Sequence, residues 1–223
     1  MWTIYQHHKG MHYLTLGKAL HSESMESQTV YIALYDNPHN SMWVRPSSMF
    51  FDNGGPRGGK RFSPLAVVRK LALDEAKQIL SFGYDAWGDG QSQSQFIESY
   101  NGNLNHMRGQ RYVLENTEGG ILSTVNTLRF TADTTGLAWL ATHPEHRKQG
   151  HATILMHAVM ALLRHENPDM SFVLHSEIGV RYFERFGFEK ASVEHQHFEK
   201  SVAMVATHDS EPSGLEGILK DFF

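Results

Sequence analysis

Arg147-Lys148-Gln149-Gly150-His151-Ala152 lies between an apolar run, Leu137-Ala138-Trp139-Leu140-Ala141-Thr142, and a long amphipathic run that starts at Thr153. The first run reads as a strand and the second as a helix, so the six residues are a strand-to-helix turn. Such a turn aims several backbone N–H groups and the positive end of a helix dipole at one point, where an anion can sit. Gly150 has no Cβ and lets the backbone approach phosphate oxygens. Arg147 and Lys148 add positive charge. The turn lacks the Lys-Ser or Lys-Thr pair of a P-loop and the Gly-x-Gly-x-x-Gly of a dinucleotide fold, which weakens the rival reading as a nucleotide loop.

Outward from this turn, the helix from Thr153 to His165 carries Ile154, Leu155, Ala158, Val159, Leu162 and Leu163 on a broad apolar face, and Asn167-Pro168 ends it. Met170 to His175 reads as a buried strand, and Ile178 to Phe186 as a short helix stopped by Gly187. Phe188 and Val193 to Ala206 supply the last strands, before a polar tail with a short helix at Leu215 to Leu219. Upstream, Leu65 to Leu71 is a strand and Asp74-Glu75 opens a helix to about Trp87. Gln91 to Asn105 is a second helix. Arg111 to Glu115 and Gly120 to Phe130 form a hairpin around Asn116-Thr117-Glu118-Gly119.

Asn53 to Arg61 is glycine-rich and basic without hydrophobic period, and reads as a spacer. Before it, Tyr13 to Leu16, Thr29 to Tyr35 and Met42 to Arg45 alternate as strands, with Gly10, Gly17 and Asp36-Asn37-Pro38 as turns. A segment this short uses its aromatics as core, so a small barrel or rolled sheet is expected. The domain layout expected is a β module over 1–52, a linker over 53–63, an α/β domain over 64–206 and a tail over 207–223.

The 223 residues, 40% of them hydrophobic, can bury a real core. A net charge of −4 supplies no basic field for nucleic acid or an anionic membrane. With no cysteine, disulfides, thiolate nucleophiles and cysteine-based zinc sites are excluded. Met1 to His8 lacks the basic-then-apolar order of a signal peptide, and no apolar run approaches the ~20 residues that cross a bilayer. A cytoplasmic protein without nucleic-acid or membrane partners is expected; a homodimer is compatible with this. The 15 histidines read as a scattered surface population. His195-x-His197 and His143-x-x-His146 are half-sites without an evident third ligand, so no metal is expected.

Two resemblances follow from these residues. Arg-x-x-Gly-x-Ala at 147–152, the preceding Leu140 to His146, and Tyr182-Phe183-Glu184-Arg185-Phe186-Gly187-Phe188 resemble the GNAT superfamily of acyl-CoA-dependent N-acyltransferases. The order β-α-α-β-β-β-α-β-α-β-β over about 64–205 is also the GNAT order. Residues 1–52 resemble a small uncharacterised bacterial domain family. That pattern shows as Tyr5, His8-Lys9-Gly10, Tyr13, His21-Ser22-Glu23, Val30-Tyr31, Leu34-Tyr35, Trp43-Val44-Arg45-Pro46 and Met49-Phe50.

The GNAT resemblance implies an α/β fold with a mixed sheet and acetyl-CoA as co-substrate. The coenzyme would lie where two parallel strands part, here those ending near Thr142 and His175. Backbone of Leu140, Ala141 and Thr142 would pair with the pantetheine amides, and Arg147, Lys148, Gln149, Gly150, His151, Ala152 and Thr153 would hold the pyrophosphate. The reaction implied is direct transfer of acetyl to a primary amine of a small molecule or protein. That needs loss of an amine proton, donors for the developing oxyanion and help for the leaving thiolate. The alternative is a non-catalytic acyl-CoA sensor or adaptor whose N-terminal module recruits a partner.

The resemblance breaks at the general acid. Relatives place a tyrosine where this chain has Phe183; Tyr182 is adjacent, but one helical step turns it by about 100°. Tyr182 is thus either the acid or a packing aromatic. Ser176 stands where relatives carry an asparagine near the cofactor, and either makes that contact or caps a helix. His175 and Glu177 are candidates for base or substrate anchor. His143 is a base, a water relay or a turn stabiliser. Leu174-His175-Ser176-Glu177-Ile178-Gly179 is similar to a Ser-Asp-Ile-Gly variant in GNAT enzymes that act on free lysine. Selectivity is expected from Trp87 to Asn105.

Overall fold

A computed structural model describes residues 1–35, 42–101, 108–207 and 212–221 of the chain. The Asp36-Asn37-Pro38 turn, the end of the second expected helix at 102–105 and the first residues of the tail lie outside them.

The chain runs β1 (Trp2–His7), β2 (His12–Leu20), β3 (Ser27–Ala33), β4 (Met42–Pro46), α1 (Ser47–Phe50), β5 (Phe62–Lys70), α2 (Ala76–Leu80), α3 (Tyr84–Trp87) and α4 (Gln93–Asn101). It continues through β6 (Gln110–Asn116), β7 (Ile121–Arg129), β8 (Thr134–Thr142), α5 (His151–Glu166), β9 (Ser171–Ser176), α6 (Arg181–Glu184), β10 (Glu189–Lys190), β11 (Val202–Ala206) and α7 (Leu215–Asp221). From β5 onward this is the order expected from sequence. The strands form one mixed sheet, ordered β10-β11-β9-β8-β7-β6-β5-β1-β2-β3-β4, in which only β8 and β9 are parallel neighbours.

The N-terminal strands extend this sheet. β1, a strand that the sequence reading did not single out, pairs with β5 from Trp2↔Val68 to His7↔Phe62, and with β2 on its other side. The backbone groups on the outer edge of β5 are therefore satisfied by the chain's own first strand. Ile4, Leu14 and Leu34 join the main core with Val68, Leu114, Leu155 and Val159. A second, aromatic cluster of Tyr31, Phe50 and Phe62 packs with Tyr5 and Tyr13, and the Phe50 and Phe62 rings stack at 4.2 Å. Residues 53–61 turn back on themselves: the N–H of Gly55 bonds to the Gly59 carbonyl, and Arg61 pairs with Asp52. Phe62 and Ser63 already belong to β5.

α5 buries Leu155, Met156, Ala158, Val159, Met160, Leu162 and Leu163 against one sheet face. At roughly 1.5–3 kcal/mol per large side chain, this stripe is a principal stabiliser of the fold. On the other face, Ile79 and Phe82 cover Val113, Ile121 and Ala141. The helix expected over 74–87 is divided by a 3-10 turn at Ser81–Gly83. A Cβ on Gly83 would collide with the six-membered ring of Trp87, so the glycine lets that indole lie on the backbone. α7 packs Leu215, Ile218 and Leu219 on Val173, Ala203 and Val205. The tail is thus tied to the sheet by a short amphipathic helix.

Candidate active site

β8 and β9 are paired at Thr134↔Ser171, Thr135↔Phe172 and Gly136↔Val173, and the ladder goes no further. Beyond those pairs the strands part. A cavity of about 290 Å³ opens between them, lined by Leu137 to Leu140, Leu174 to Ile178, Val125, Asn126, Leu128, Met156, Phe183, Trp87 and Tyr100. A bulge in β8 helps to shape it: the β7 register slips between Thr124↔Ala141 and Asn126↔Ala138, and Trp139 sits there at φ +53°. A positive φ is strained for a bulky residue and is held only when its surroundings determine it. Here the Trp139 ring lies 4.5 Å from Trp87 and 4.2 Å from Tyr100, with the Arg111 guanidinium 5.6 Å from its centroid. Burial lowers Arg111 to about 10.

At the far end of β8 comes the turn. Lys148 at φ +61° and Gly150 at φ +85° carry the chain into α5. Nothing lies within 4 Å of where a Gly150 Cβ would stand. Among the described residues, the N–H groups of Lys148 through Thr153 meet no backbone acceptor, as expected of a helix start. Arg147 turns back instead. Its Nε donates to the Thr142 carbonyl (3.2 Å), Nη2 donates to the Phe82 carbonyl and to Asp85 (both 2.8 Å), and Nη1 pairs with the other Asp85 oxygen. Its hydrogen bonds hold Asp85 below the usual carboxylate range. Arg147 therefore braces the α2–α3 segment against the turn, and Lys148 is the exposed cation there.

His175 is half-buried on β9 and lines the cavity. Its Nε2 lies 3.0 Å from the Leu219 carbonyl, which fixes the proton on Nε2, and its Nδ1 is 3.4 Å from the Ser201 hydroxyl. Burial lowers its pKa and keeps the ring neutral. Glu177 sits at the rim and accepts a 2.7 Å hydrogen bond from the Trp87 indole N–H. Ser176 donates to the Gly179 carbonyl at 2.7 Å and makes no side-chain cap on α6. Phe183 lines the cavity, whereas Tyr182 does not. The Tyr182 hydroxyl lies 3.4 Å from Thr153 at the start of α5, and burial raises its pKa. His143 also lies away from the cavity lining, where Nδ1 accepts from the Glu145 N–H and the ring packs edge-on to Phe82.

The structure thus brings His175, Ser176, Glu177 and Phe183 together at one cavity, with Leu140, and places the Lys148–Thr153 amides at the end of the strand that lines it. Asp85, Arg111, Asn126 and Trp139 are site or support residues that sequence reading passed over. The selectivity expected from Trp87 to Asn105 was the one sequence-based pointer to this wall. Among the described residues no group of three or more His, Asp or Glu is arranged to hold a metal ion.

Residues 3–64 match a family described as a protein of unknown function, DUF1653. Residues 67–191 match the acetyltransferase (GNAT) domain family, whose members use acetyl-CoA or another acyl-CoA as co-substrate. Among solved structures, a mutant of the spermidine N-acetyltransferase from Vibrio cholerae superposes with a TM-score of 0.51 at 16% identity, over 64% of this chain and 94% of that one. The ribosomal-protein-S18-alanine N-acetyltransferase from Escherichia coli does so with a TM-score of 0.50 at 14% identity, over 67% and 98%. Both likenesses are of fold. No curated protein matches the chain significantly in sequence. The chain belongs to the GNAT acetyltransferases, with a DUF1653 domain ahead of its acetyltransferase domain.

Proposed function

We propose that this protein transfers acetyl from acetyl-CoA to a primary amine bound in the cavity, by direct attack in a ternary complex. The observation that carries this reading is the parting of β8 and β9 beyond Gly136↔Val173, beside a helix start with open amides. The residues fit the coenzyme. Leu140 to Thr142 offer strand backbone along the fork, the Lys148–Thr153 amides and the Lys148 ammonium suit a diphosphate, and Gly150 leaves the approach clear. When bound, the coenzyme supplies an activated acetyl thioester.

The chain's own side chains supply the rest. Neutral His175, its Nε2 proton committed to Leu219, takes up the proton of the incoming amine at Nδ1 through the Ser201 hydroxyl, which lies 3.4 Å from that nitrogen and passes its own proton on. The mostly apolar lining disfavours charge and so favours the uncharged amine. Phe183 carries no proton, so departure of the thiolate draws on solvent. A thiol of ordinary pKa near ~8.5 tolerates that near neutral pH. The coenzyme contacts of residues 140–142 and 147–153 and the His175 role stand or fall with this reading.

Thiol release with acetyl-CoA and a panel of amines tests it. Turnover with intersecting double-reciprocal lines is expected. Parallel lines would overturn the ternary complex. Tight coenzyme binding without thiol release for any amine would favour an acyl-CoA sensor, the reading for which Phe183 speaks.

A further inference from the structure

The acceptor end of the cavity has a chemistry of its own. Trp87, Trp139 and Tyr100 form one aromatic wall, with ring centroids 4.2–4.5 Å apart about Trp139. Glu177 closes it at the rim, oriented by the Trp87 indole. The described lining contains no Lys or Arg: its ionisable groups are Glu177, His175 and Tyr100. Arg111 contacts Trp139 but is not part of the lining. Burial and the nearby Glu177 carboxylate both raise Tyr100, so the phenol stays neutral. An aromatic wall beside one carboxylate suits an organic cation. Its lining offers no counter-charge to a carboxylate or phosphate on the acceptor, the half-buried Arg111 reaching it only through Trp139 and Tyr100.

Which cation is decided by mechanism. The amine that attacks must be uncharged, and a carboxylate beside it would hold it as ammonium. Glu177 is exposed at the mouth rather than buried in the fork, so it suits a charge that stays in contact with water. We propose that Glu177, Trp87 and Tyr100 hold a second, non-reacting ammonium, so that the acceptor is a diamine with an aliphatic spacer and no acidic group. This rests on the transferase reading above. The reacting nitrogen lies toward His175 and the spacer runs along the apolar lining.

The test uses the full chain and three acceptors with the same five-carbon stem: 1,5-diaminopentane, 1-aminopentane and lysine. A partly exposed ion pair with a cation–π contact predicts a KM about tenfold lower for the diamine than for the monoamine. Lysine should be the poorest in kcat/KM, by at least about tenfold relative to the diamine. Glu177→Gln still accepts the indole hydrogen bond and loses only the charge. It should bring the diamine-to-monoamine KM ratio close to one, with the change in KM rather than kcat. Equal use of diamine and monoamine, a preference for lysine, or an equal fall in kcat for both amines in Glu177→Gln would overturn the proposal. Should no amine release thiol, the transferase reading fails, and the site is then judged by binding. Titration with 1,5-diaminopentane should quench tryptophan fluorescence in the wild type about tenfold more tightly than in Glu177→Gln, and equal titrations would overturn it.

Discussion

Ile4→Ala, in the DUF1653 segment, should destabilise the acetyltransferase domain. Ile4 is 0% exposed, lies between Leu14 of β2 and Ala66 of β5, and shares a core with Leu114 and Leu155. Truncating a buried isoleucine costs about 2–5 kcal/mol, the transfer term plus the cavity left behind. The neighbours here come from three strands and a helix, which limits collapse, so ~3 kcal/mol is a fair central value. For a chain of this length each kcal/mol shifts Tm by ~2–4 °C, giving a fall of about 6–12 °C. The assay is differential scanning calorimetry with and without coenzyme, which marks the transition of the domain that binds it. One coenzyme-responsive transition should move down as a whole. The control, Leu20→Ala on β2, alters a side chain 63% exposed and should leave Tm within ~1–2 °C. Two transitions, with the coenzyme-responsive one unmoved by Ile4→Ala, would refute the shared core.

Gly150→Ala should cost only about 1–2 kcal/mol of stability, because φ is +85° while space is open. Gly150→Asp should weaken coenzyme binding by calorimetry more than tenfold; a constant within twofold of wild type would displace the diphosphate from this turn. A double-mutant cycle of Arg147→Ala and Asp85→Ala, followed by urea unfolding, should show coupling of ~1 kcal/mol, and no coupling would remove the brace. His175→Gln should lower kcat more than Tyr182→Phe, since Tyr182 faces Thr153 rather than the cavity; the opposite order at equal stability would reverse the assignment. Burial depresses His157 and His175 from the ordinary 6.5, so the unfolded chain takes up these protons first. Their contribution is complete above about 6.5 and is lost as pH falls through the lower folded values, so Tm should drop from pH 7 to pH 5. A Tm that stays level over that interval would contradict it.

What was legible in the sequence was local. The apolar stripe of α5, the hairpin at 116–119 and the strand-turn-helix around Gly150 each follow from periodicity and turn residues within a few positions. What was hidden depends on contacts distant in sequence. β1 looks like an ordinary terminus until β5 is set beside it. The charge on Arg147 reads as a phosphate ligand until Asp85, 62 residues earlier, is found on it. A bulge at Trp139 cannot be read from a run of apolar residues, because the run is the same with or without the register slip. The tail helix has three apolar residues in a polar stretch, and only the face of β9 and β11 gives them a partner.

The seam between β1 and β5 bears on what happens when the chain is cut. A fragment beginning near residue 62 would lose Ile4, Leu14 and Leu34 from its core and bare a nine-residue strand whose edge is ready to recruit another. Such a fragment should self-associate through that edge even with its coenzyme turn intact. In the whole chain the outermost N-terminal strand is the five-residue β4, ended by Pro46, a poorer template for stacking. The DUF1653 segment thereby keeps covered the sheet edge that its neighbour would otherwise expose.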